Sequence, residues 1–393
     1  MQITWNQQVV KRNNKSLVLQ IIKDQAPLSR ADISQRSGLN KSTVSSLVSE
    51  LLDEELVNET GPGESSGGRR PVMLLFNQLA GYSIGIDLGV NYILGVLTDL
   101  QGNIIQELNV SLVELDYSIV LDQVTAMIKE LISLSPACRY GVVGVGIGVP
   151  GIVDKEGQVL LAPNLNWKNK ELKEDLEKRF RLPIIIENEA NAGAYGEKRF
   201  GVGQEYQNII YISASIGIGV GLIITGELYR GINGFSGESG HMTIDLNGKK
   251  CSCGRRGCWE AYASEHALLI EAKQLFDRDI TLEKLIEQAK QNDVRVIELF
   301  KQIGQYIGYG IANLANTMNP AQIIIGNRMS TAKEWLKHPI EDAINQHALI
   351  FHQEDLQINF SNLSIYSSSL GVAAFVVENF FKEEQLVEHG KPE

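Results

Sequence analysis

The spacing of apolar positions changes period several times along this chain, and each change marks an element. Between residues 15 and 23, Leu17, Ile21 and Ile22 recur at helical spacing, and Pro27 ends the run. Ser29 is placed to cap a second helix through the amide near Asp32, with Ile33 turned inward. The triplet Ser37-Gly38-Leu39 then turns the chain sharply, and Asn40 caps a third helix. In that helix Val44, Leu47, Val48 and Leu51 form the buried stripe, which leaves Lys41, Ser42, Thr43, Ser45 and Ser46 on or near the outer face. This is the spacing of a helix-turn-helix. Small polar side chains beside one lysine suit close entry into a major groove, so Asn40, Lys41, Ser42, Thr43, Ser45 and Ser46 are the expected DNA-facing set. Residues 55–59 and 71–76 read as strands around GPGESSGGRR, a glycine and serine loop tipped with Arg69 and Arg70. That loop reads as a wing whose arginines reach phosphates or a minor groove. The plainer alternative is a solvated linker, with the helices serving only in packing.

After Asn77 the pattern becomes an alternation of strands and helices. A strand at 82–86 runs into Asp87-Leu88-Gly89-Val90-Asn91 and returns at 92–98, and another strand starts at Gly102. A helix at 119–134, a buried strand at 140–149 ending in Pro150-Gly151, a strand at 183–186 ending in Glu187-Asn188-Glu189 and a helix at 190–200 complete a first pass. A second pass has strands at 209–213 and 219–225 around a glycine loop, helices at 261–276, 281–291 and 297–317, and a strand at 322–325. A last helix at 369–381 is expected to fold back on the first pass. Two such passes predict two α/β lobes with a cleft between them. The expected units are a winged helix-turn-helix at 1–77, a first lobe at 78–207 completed by a C-terminal helix at about 368–386, and a second lobe at 208–367.

Length and charge sharpen this division. A chain of 393 residues is long enough for two or three domains. Its formal net charge is −11, yet residues 1–48 carry seven basic side chains against Asp24 and Asp32. A basic head on an acidic body points to a polyanionic partner for the head alone. The most apolar candidate for a membrane span, 209–225, is broken by Ser213, Ser215, Gly217, Gly219 and Gly221, and the polar start argues against a secretory signal. The expected setting is the cytoplasm, with no membrane partner.

Candidate chemistry concentrates in residues 237–260, GESGHMTIDLNGKKCSCGRRGCWE. Three of the four cysteines, Cys251, Cys253 and Cys258, lie among glycines with His241 ten residues upstream. Three thiolates and an imidazole make a closed tetrahedral zinc set, so the metal is expected to be structural. The alternatives are a disulfide, which a cytosolic setting disfavours, or inert buried thiols. The loop so braced carries Glu238, Glu260 and the second nitrogen of His241 as hydrogen-bonding groups facing a ligand.

The segments GLNKSTVSSLVSELL, SSGGRRPVML, GYSIGIDLGV, VPGIVD, ENEANAGAYGEK, LYRGINGFSGESGHMTIDLNG and CSCGRRGCWE occur in an order that resembles the ROK family of repressors and sugar kinases over almost the whole chain. The resemblance implies an actin-like, ribonuclease H-like fold for both lobes and a sugar between them, xylose on the repressor branch it resembles most. Carried over position by position, the sugar contacts are Asn188 and Glu189 together with Glu238, His241 and Glu260, and Asn164 beside Pro150-Gly151 closes the pocket. Alternating donors and acceptors of this kind can register the hydroxyls of a neutral polyol. The implied action is that of a homodimer holding a palindromic operator and releasing it when sugar enters the cleft.

The family's kinase branch is the competing expectation. Such kinases hold phosphate with an Asp, Gly, Thr hairpin, a second threonine loop and successive glycines, and use an aspartate as base. This chain keeps Asp87 and Gly89 but has Asn91 in place of the threonine. Its second loop, Ile216-Gly217-Ile218-Gly219, lacks the threonine, and Gly326-Asn327-Arg328 interrupts the glycine run. Glu189 stands where the aspartate is expected, displacing the carboxylate by one methylene from the geometry a base requires. These departures weigh against an enzyme.

Overall fold

The computed structural model describes residues 7–62, 71–276 and 279–387, so Arg69 and Arg70 lie outside the described residues. The head contains α1 (Gln7–Gln25), β1 (Leu28–Ser29), α2 (Arg30–Ser37), α3 (Lys41–Asp53), β2 (Val57–Pro62) and β3 (Val72–Phe76). Local chemistry sets the helix ends. Ser29 accepts from the Asp32 amide while the Asp32 carboxylate accepts from the Ser29 amide, and Gly38 closes α2 at φ 71°. Asn40 Oδ1 accepts from the Thr43 amide at 2.8 Å and starts α3, which buries Val44, Leu47, Val48 and Leu51. One inward position differs from expectation. Leu17 is exposed and its neighbour Val18 is fully buried, because Val18, Ile21 and Ile22 make the i, i+3, i+4 stripe that meets α3. The strand expected from Glu55 begins at Val57, since Glu55 adopts φ 58° in the turn that closes α3.

The first lobe comprises β4 (Tyr82–Leu88), β5 (Tyr92–Asp99), β6 (Ile104–Ser111), α4 (Tyr117–Leu134), β7 (Val142–Val149), β8 (Ile152–Val153), β9 (Val159–Ala162), β10 (Trp167–Lys170), α5 (Leu172–Arg179), β11 (Ile184–Asn188) and α6 (Glu189–Phe200). Its main sheet has the order β6-β5-β4-β7-β11, antiparallel on the β5 side of β4 and parallel on the β7 side. The second lobe follows with β12 (Ile209–Ala214), β13 (Ile218–Ile224), β14 (Glu227–Leu228), α7 (Glu260–Ala263), α8 (Glu265–Ala272), α9 (Leu282–Lys290), α10 (Val294–Met318), β15 (Gln322–Gly326), α11 (Lys333–His347) and β16 (Gln357–Phe360). Its sheet order, β14-β13-β12-β15-β16, repeats the first: third, second, first, fourth and fifth strand, with the same directions.

The single helix expected at 261–276 is two, because Ser264 leaves the helical region and caps α8 through the Ala267 amide. The sequence reading also passed over α5, α11, β16 and the small β8-β9-β10 sheet. Pro339 inside α11 hides its period, and β16 has no fully buried residue to announce it.

The chain closes with α12 (Ser367–Val387), which returns to the first lobe. It crosses α6 at backbone distance: a Cβ on Gly371 would lie 1.8 Å from the Ala192 carbonyl oxygen. Further along, Phe380 packs edge-on against Tyr140 and Phe381 against Phe76, at centroid distances of 5.0 and 6.2 Å. Val376 and Val377 thereby share one apolar cluster with Val18, Ile22, Val48 and Phe76, so the head rests on the first lobe through this helix. Among the described residues no helix is long and apolar enough to cross a membrane.

Candidate functional site

A cavity of about 550 Å³ opens between the two sheets, and Asn164, Asn188, Glu189, Glu238, His241 and Glu260 all line it. The elements that present them differ. Asn188 ends β11 and caps α6, its Oδ1 accepting from the amides of Ala190 and Asn191 and its Nδ2 donating to the Gly151 carbonyl at 2.7 Å. Most of its hydrogen-bonding capacity is therefore spent on holding the cavity wall, and one N–H is left for a ligand. Glu189 opens α6, where the helix N-terminus favours an acceptor. Burial raises the Glu189 carboxyl above the usual range, against the opposing hydrogen bonds from Ser213 and Asn327. Burial likewise raises Glu238, opposed by His241 and reinforced by Glu260.

On the opposite wall Glu260 starts α7, and its Oε2 accepts from the Ile218 amide at 3.1 Å. A Cβ on Gly217 would meet that oxygen at 2.5 Å, so a larger residue before Ile218 would displace the Glu260 carboxylate from this position. Glu260 Oε1 accepts from Ser252 at 3.3 Å and faces Cys251 Sγ at 3.7 Å, which ties the carboxylate directly to the cysteine loop.

The candidate ligand atoms of His241, Cys251, Cys253 and Cys258 lie within 4.8 Å of one another. His241 Nδ1 is 3.7 Å from Cys251 Sγ, and Cys253 Sγ is 3.7 Å from Cys258 Sγ. A tetrahedron with metal–sulfur bonds of about 2.3 Å has edges of about 3.8 Å, so these spacings fit a metal and are far too long for a disulfide. Burial pushes the Cys258 thiol up to about 12, with the neighbouring sulfurs adding to the rise. Burial acts on Cys253 in the same direction, but its hydrogen bonds with Arg255 outweigh it and bring that thiol down to about 6, so the cluster already favours one thiolate. With Nδ1 facing the sulfurs, His241 keeps Nε2 for the cavity. The four residues could hold a metal in a closed shell.

Deeper features brace this loop, and the sequence reading did not single them out. Trp259 is fully buried and donates through Nε1 to the Tyr306 carbonyl at 2.7 Å, against a Gly310 that leaves room for its ring. Tyr262 accepts from the Lys249 amide at 2.7 Å and donates to Asp245. Only the aromatic pair around Glu260 hinted at this in the sequence.

Of the groups of the competing enzyme expectation, Gly89, Glu189, Gly217 and Gly219 line this same cavity, whereas Asp87 and Arg328 are taken up by other contacts. Asp87 is fully buried, its Oδ2 accepts from the Tyr92 hydroxyl at 2.5 Å, and Tyr92 lies against Gly89, 2.4 Å from where a Cβ would stand. Burial, and after it the neighbouring Glu189, raises the Asp87 carboxyl well above its ordinary range. Arg328 forks onto Glu265 at 2.9 and 3.0 Å and reaches Glu283 at 2.8 Å, which fills the region after β15 with an ion-pair network.

In the head, Asn40, Lys41, Ser42, Ser45 and Ser46 are exposed and Thr43 is half-buried, all on the side of α3 away from the core. That face is unobstructed by other described elements and carries the donors and acceptors expected of a groove-reading helix.

Comparison with known proteins agrees with both halves. The ROK family model matches residues 83–379, and a winged helix-turn-helix DNA-binding model matches residues 12–58. The xylose repressor of Bacillus spizizenii is 46% identical over 375 residues, covering 95% of this chain and 97% of that protein. Among solved structures, a ROK family transcriptional regulator homologous to the Escherichia coli MLC protein superposes with a TM-score of 0.80 at 30% identity, covering 96% of this chain and 98% of that one. A ROK family glucokinase from Streptomyces griseus, solved with glucose and AMPPNP, gives a TM-score of 0.70 at 32% identity and covers 75% of this chain and 99% of its own. With a whole-chain match of this extent and a ROK match that runs through both sheets and α12, the chain belongs to the ROK family.

Proposed function

We propose that the protein is a sugar-responsive transcriptional repressor, a regulator and not an enzyme, whose effector is xylose. The observation that carries this reading is the convergence of six hydrogen-bonding side chains on one cavity in a chain that also presents an exposed recognition helix. Glu189, Glu238 and Glu260 accept from ring hydroxyls, Asn164 and Asn188 add amides, and His241 Nε2 completes the set. A pocket of paired hydroxyl contacts discriminates strongly, because an analogue missing one leaves a buried group unpaired. The xylose assignment draws on the name of the Bacillus relative and on its extent of match.

The units we propose are the DNA-binding head at 1–77, a first lobe at 78–207 completed by α12, and a second lobe at 208–367 that carries the metal site and a dimerisation surface. His241, Cys251, Cys253 and Cys258 would hold structural Zn²⁺, which supplies a rigid, closed junction and no open position for chemistry. Asn40, Lys41, Ser42, Thr43, Ser45 and Ser46 contact operator DNA, with Arg69 and Arg70 reaching its backbone or minor groove. A cytoplasmic homodimer places two heads on the half-sites of a palindrome. Sugar closes the cleft, α12 carries the change to the head, and each tenfold loss of operator affinity requires about 1.4 kcal/mol tighter sugar binding in the released state.

Operator release measured over xylose, glucose, arabinose and N-acetylglucosamine tests the whole reading. Release by xylose at the lowest concentration is expected. Operator affinity indifferent to all four sugars, together with measurable ADP formation from ATP and a sugar, would return the protein to the kinase branch.

A further inference from the structure

We propose that Asn327 is a positioning residue of the cleft: reaching from the second sheet, it orients the carboxylate of Glu189, a residue of the first lobe, for a hydroxylated ligand. The inference rests on the reading of the cavity as a sugar site. Neither Asn327 nor Ser213 was expected to matter there, and Asn327 entered only as an interruption of a glycine run.

The backbone is the first sign. Asn327 sits just past β15 at φ 62° and ψ −160°, a conformation that glycine adopts freely and other residues seldom hold unless their surroundings enforce it. Glycine would serve the turn better. What the asparagine adds is its side chain, and in a residue only 3% exposed that side chain is fully used. Nδ2 donates to Glu189 Oε1 at 2.6 Å and reaches Ser213 Oγ at 3.1 Å, while Oδ1 accepts from the Arg328 amide at 2.7 Å. Ser213 Oγ donates to the same Glu189 oxygen at 2.7 Å.

Strand register explains how the two donors come together. Ser213 of β12 lies opposite Gly326 of β15 in a parallel pair, so Ser213 and the residue after Gly326 emerge side by side at one end of the sheet. Together they form a two-pronged donor aimed at the first turn of α6. Glu189 Oε1 is occupied by that fork, and Oε2 accepts no hydrogen bond among the described residues. The free oxygen belongs to a side chain that lines the cavity. A glutamate alone has several rotamers and the buried Asp87 as a neighbour. Pinned at one oxygen, it presents the other in a single direction. The carboxylate that meets the ligand is thus also a bond between the lobes, so a ligand on Oε2 is felt by the second sheet through Asn327.

The test uses the full chain and two measurements. Asn327→Gly removes the fork's amide and relieves the backbone, so its thermal midpoint should equal or exceed that of the parent while xylose affinity by calorimetry falls at least tenfold. Ser213→Ala should lower affinity in the same direction by a smaller factor. Without ligand, a double-mutant cycle of Asn327→Gly and Glu189→Ala in thermal unfolding should be non-additive. Asn327→Gly binding xylose within twofold of a parent that binds it overturns the positioning role and leaves the sugar reading standing. A parent giving no heat with any monosaccharide overturns the sugar reading instead. The ligand-free cycle then decides by itself, additivity meaning that Asn327 does not hold Glu189.

Discussion

The two large sheets share a strand order and a pattern of directions, yet the groups at equivalent places differ in kind. The penultimate residue of β4 is Asp87, fully buried with one oxygen unpaired, whereas the penultimate residue of β12 is Ser213, whose hydroxyl is bonded to Glu189. After its third strand the first lobe continues into a plain helix, α4, whereas the second lobe makes the excursion that carries His241 and the cysteines. One topology therefore supplies the frame twice, and the ligand chemistry comes from what was placed at strand ends and inserted after β14.

If the inserted loop makes the second wall of the cleft and holds the zinc proposed for it, removing that metal is the most damaging change available. Binding of a structural zinc is folding free energy for the segment it closes, on the order of 10 kcal/mol in small zinc modules. A strong chelator, or Cys258→Ser, should weaken xylose binding by more than about a hundredfold and expose residues 241–260 to proteases. The first-lobe sheet should persist in hydrogen exchange. Full xylose affinity in metal-free protein would erase this distinction between the lobes.

Both lobes also close by a helix crossing lined with small residues, α6 on α12 in one and α10 on α11 in the other. A Cβ on Gly371 would stand 1.8 Å from a backbone carbonyl oxygen, whereas on Gly308 it would stand 2.6 Å from the Ala343 methyl and 2.7 Å from the Ile340 carbonyl oxygen. Neither helix can give way without moving its partner, so both substitutions overpack. Gly371→Ala should cost about 3 kcal/mol and Gly308→Ala about 2 kcal/mol in urea unfolding. Because α12 also supports the head, Gly371→Ala alone should loosen operator binding.

What was legible in the sequence follows the same divide. Elements that bury one clean stripe, such as α3 with Val44, Leu47, Val48 and Leu51, can be read from period and caps alone. The cluster of His241 and the cysteines, and with it Glu238 and Glu260 of the cavity lining, was legible because a set of residues that could hold a metal leaves a compositional mark. Glu189 was found through resemblance, but its partners Ser213 and Asn327 were not, since they lie 24 and 138 residues away and meet it only through strand register. Tyr92 on Asp87 was equally hidden: a tyrosine five residues on in a hairpin looks like ordinary strand composition. Ser264 splits a helix because its hydroxyl caps α8 at the Ala267 amide while the Glu265 amide bonds the Ser215 carbonyl, and those local bonds outweigh propensity.

Asp87, fully buried near the end of β4, gives a pH test of the first lobe. The folded-state pKa of Asp87 is raised by burial and by Glu189, so the folded protein holds a proton that the unfolded chain releases above about pH 4. Its contribution is complete below the unfolded pKa and is lost as pH climbs toward the raised value, at no more than about 1.4 kcal/mol per pH unit. Thermal melts from pH 5 to pH 8 should therefore show the parent losing about 2 kcal/mol relative to Asp87→Asn, which keeps an acceptor for Tyr92 without the titration. Parallel curves for the two proteins would mean that Asp87 is ionised in the fold.

The smallest expected effect concerns the ion pair that joins the lobes away from Glu189. Arg230, following β14, donates to Glu187 of β11 at 2.7 Å and lies over the Phe375 ring of α12 at 5.1 Å. The guanidinium is half exposed, which screens the attraction, but Glu187 is buried and, among the described residues, keeps the Asn188 amide and the Asn191 side chain when the cation is removed. Arg230→Ala should cost about 1 kcal/mol, in thermal melts at low salt, and the loss should shrink as salt is added. Since the pair bridges the lobes without facing the cavity floor, xylose affinity should move by less than threefold, in contrast to Asn327→Gly. A larger shift in affinity than in stability would place the lobe-to-lobe coupling at Arg230, on the rim of the cleft, and take it away from the carboxylate at its base.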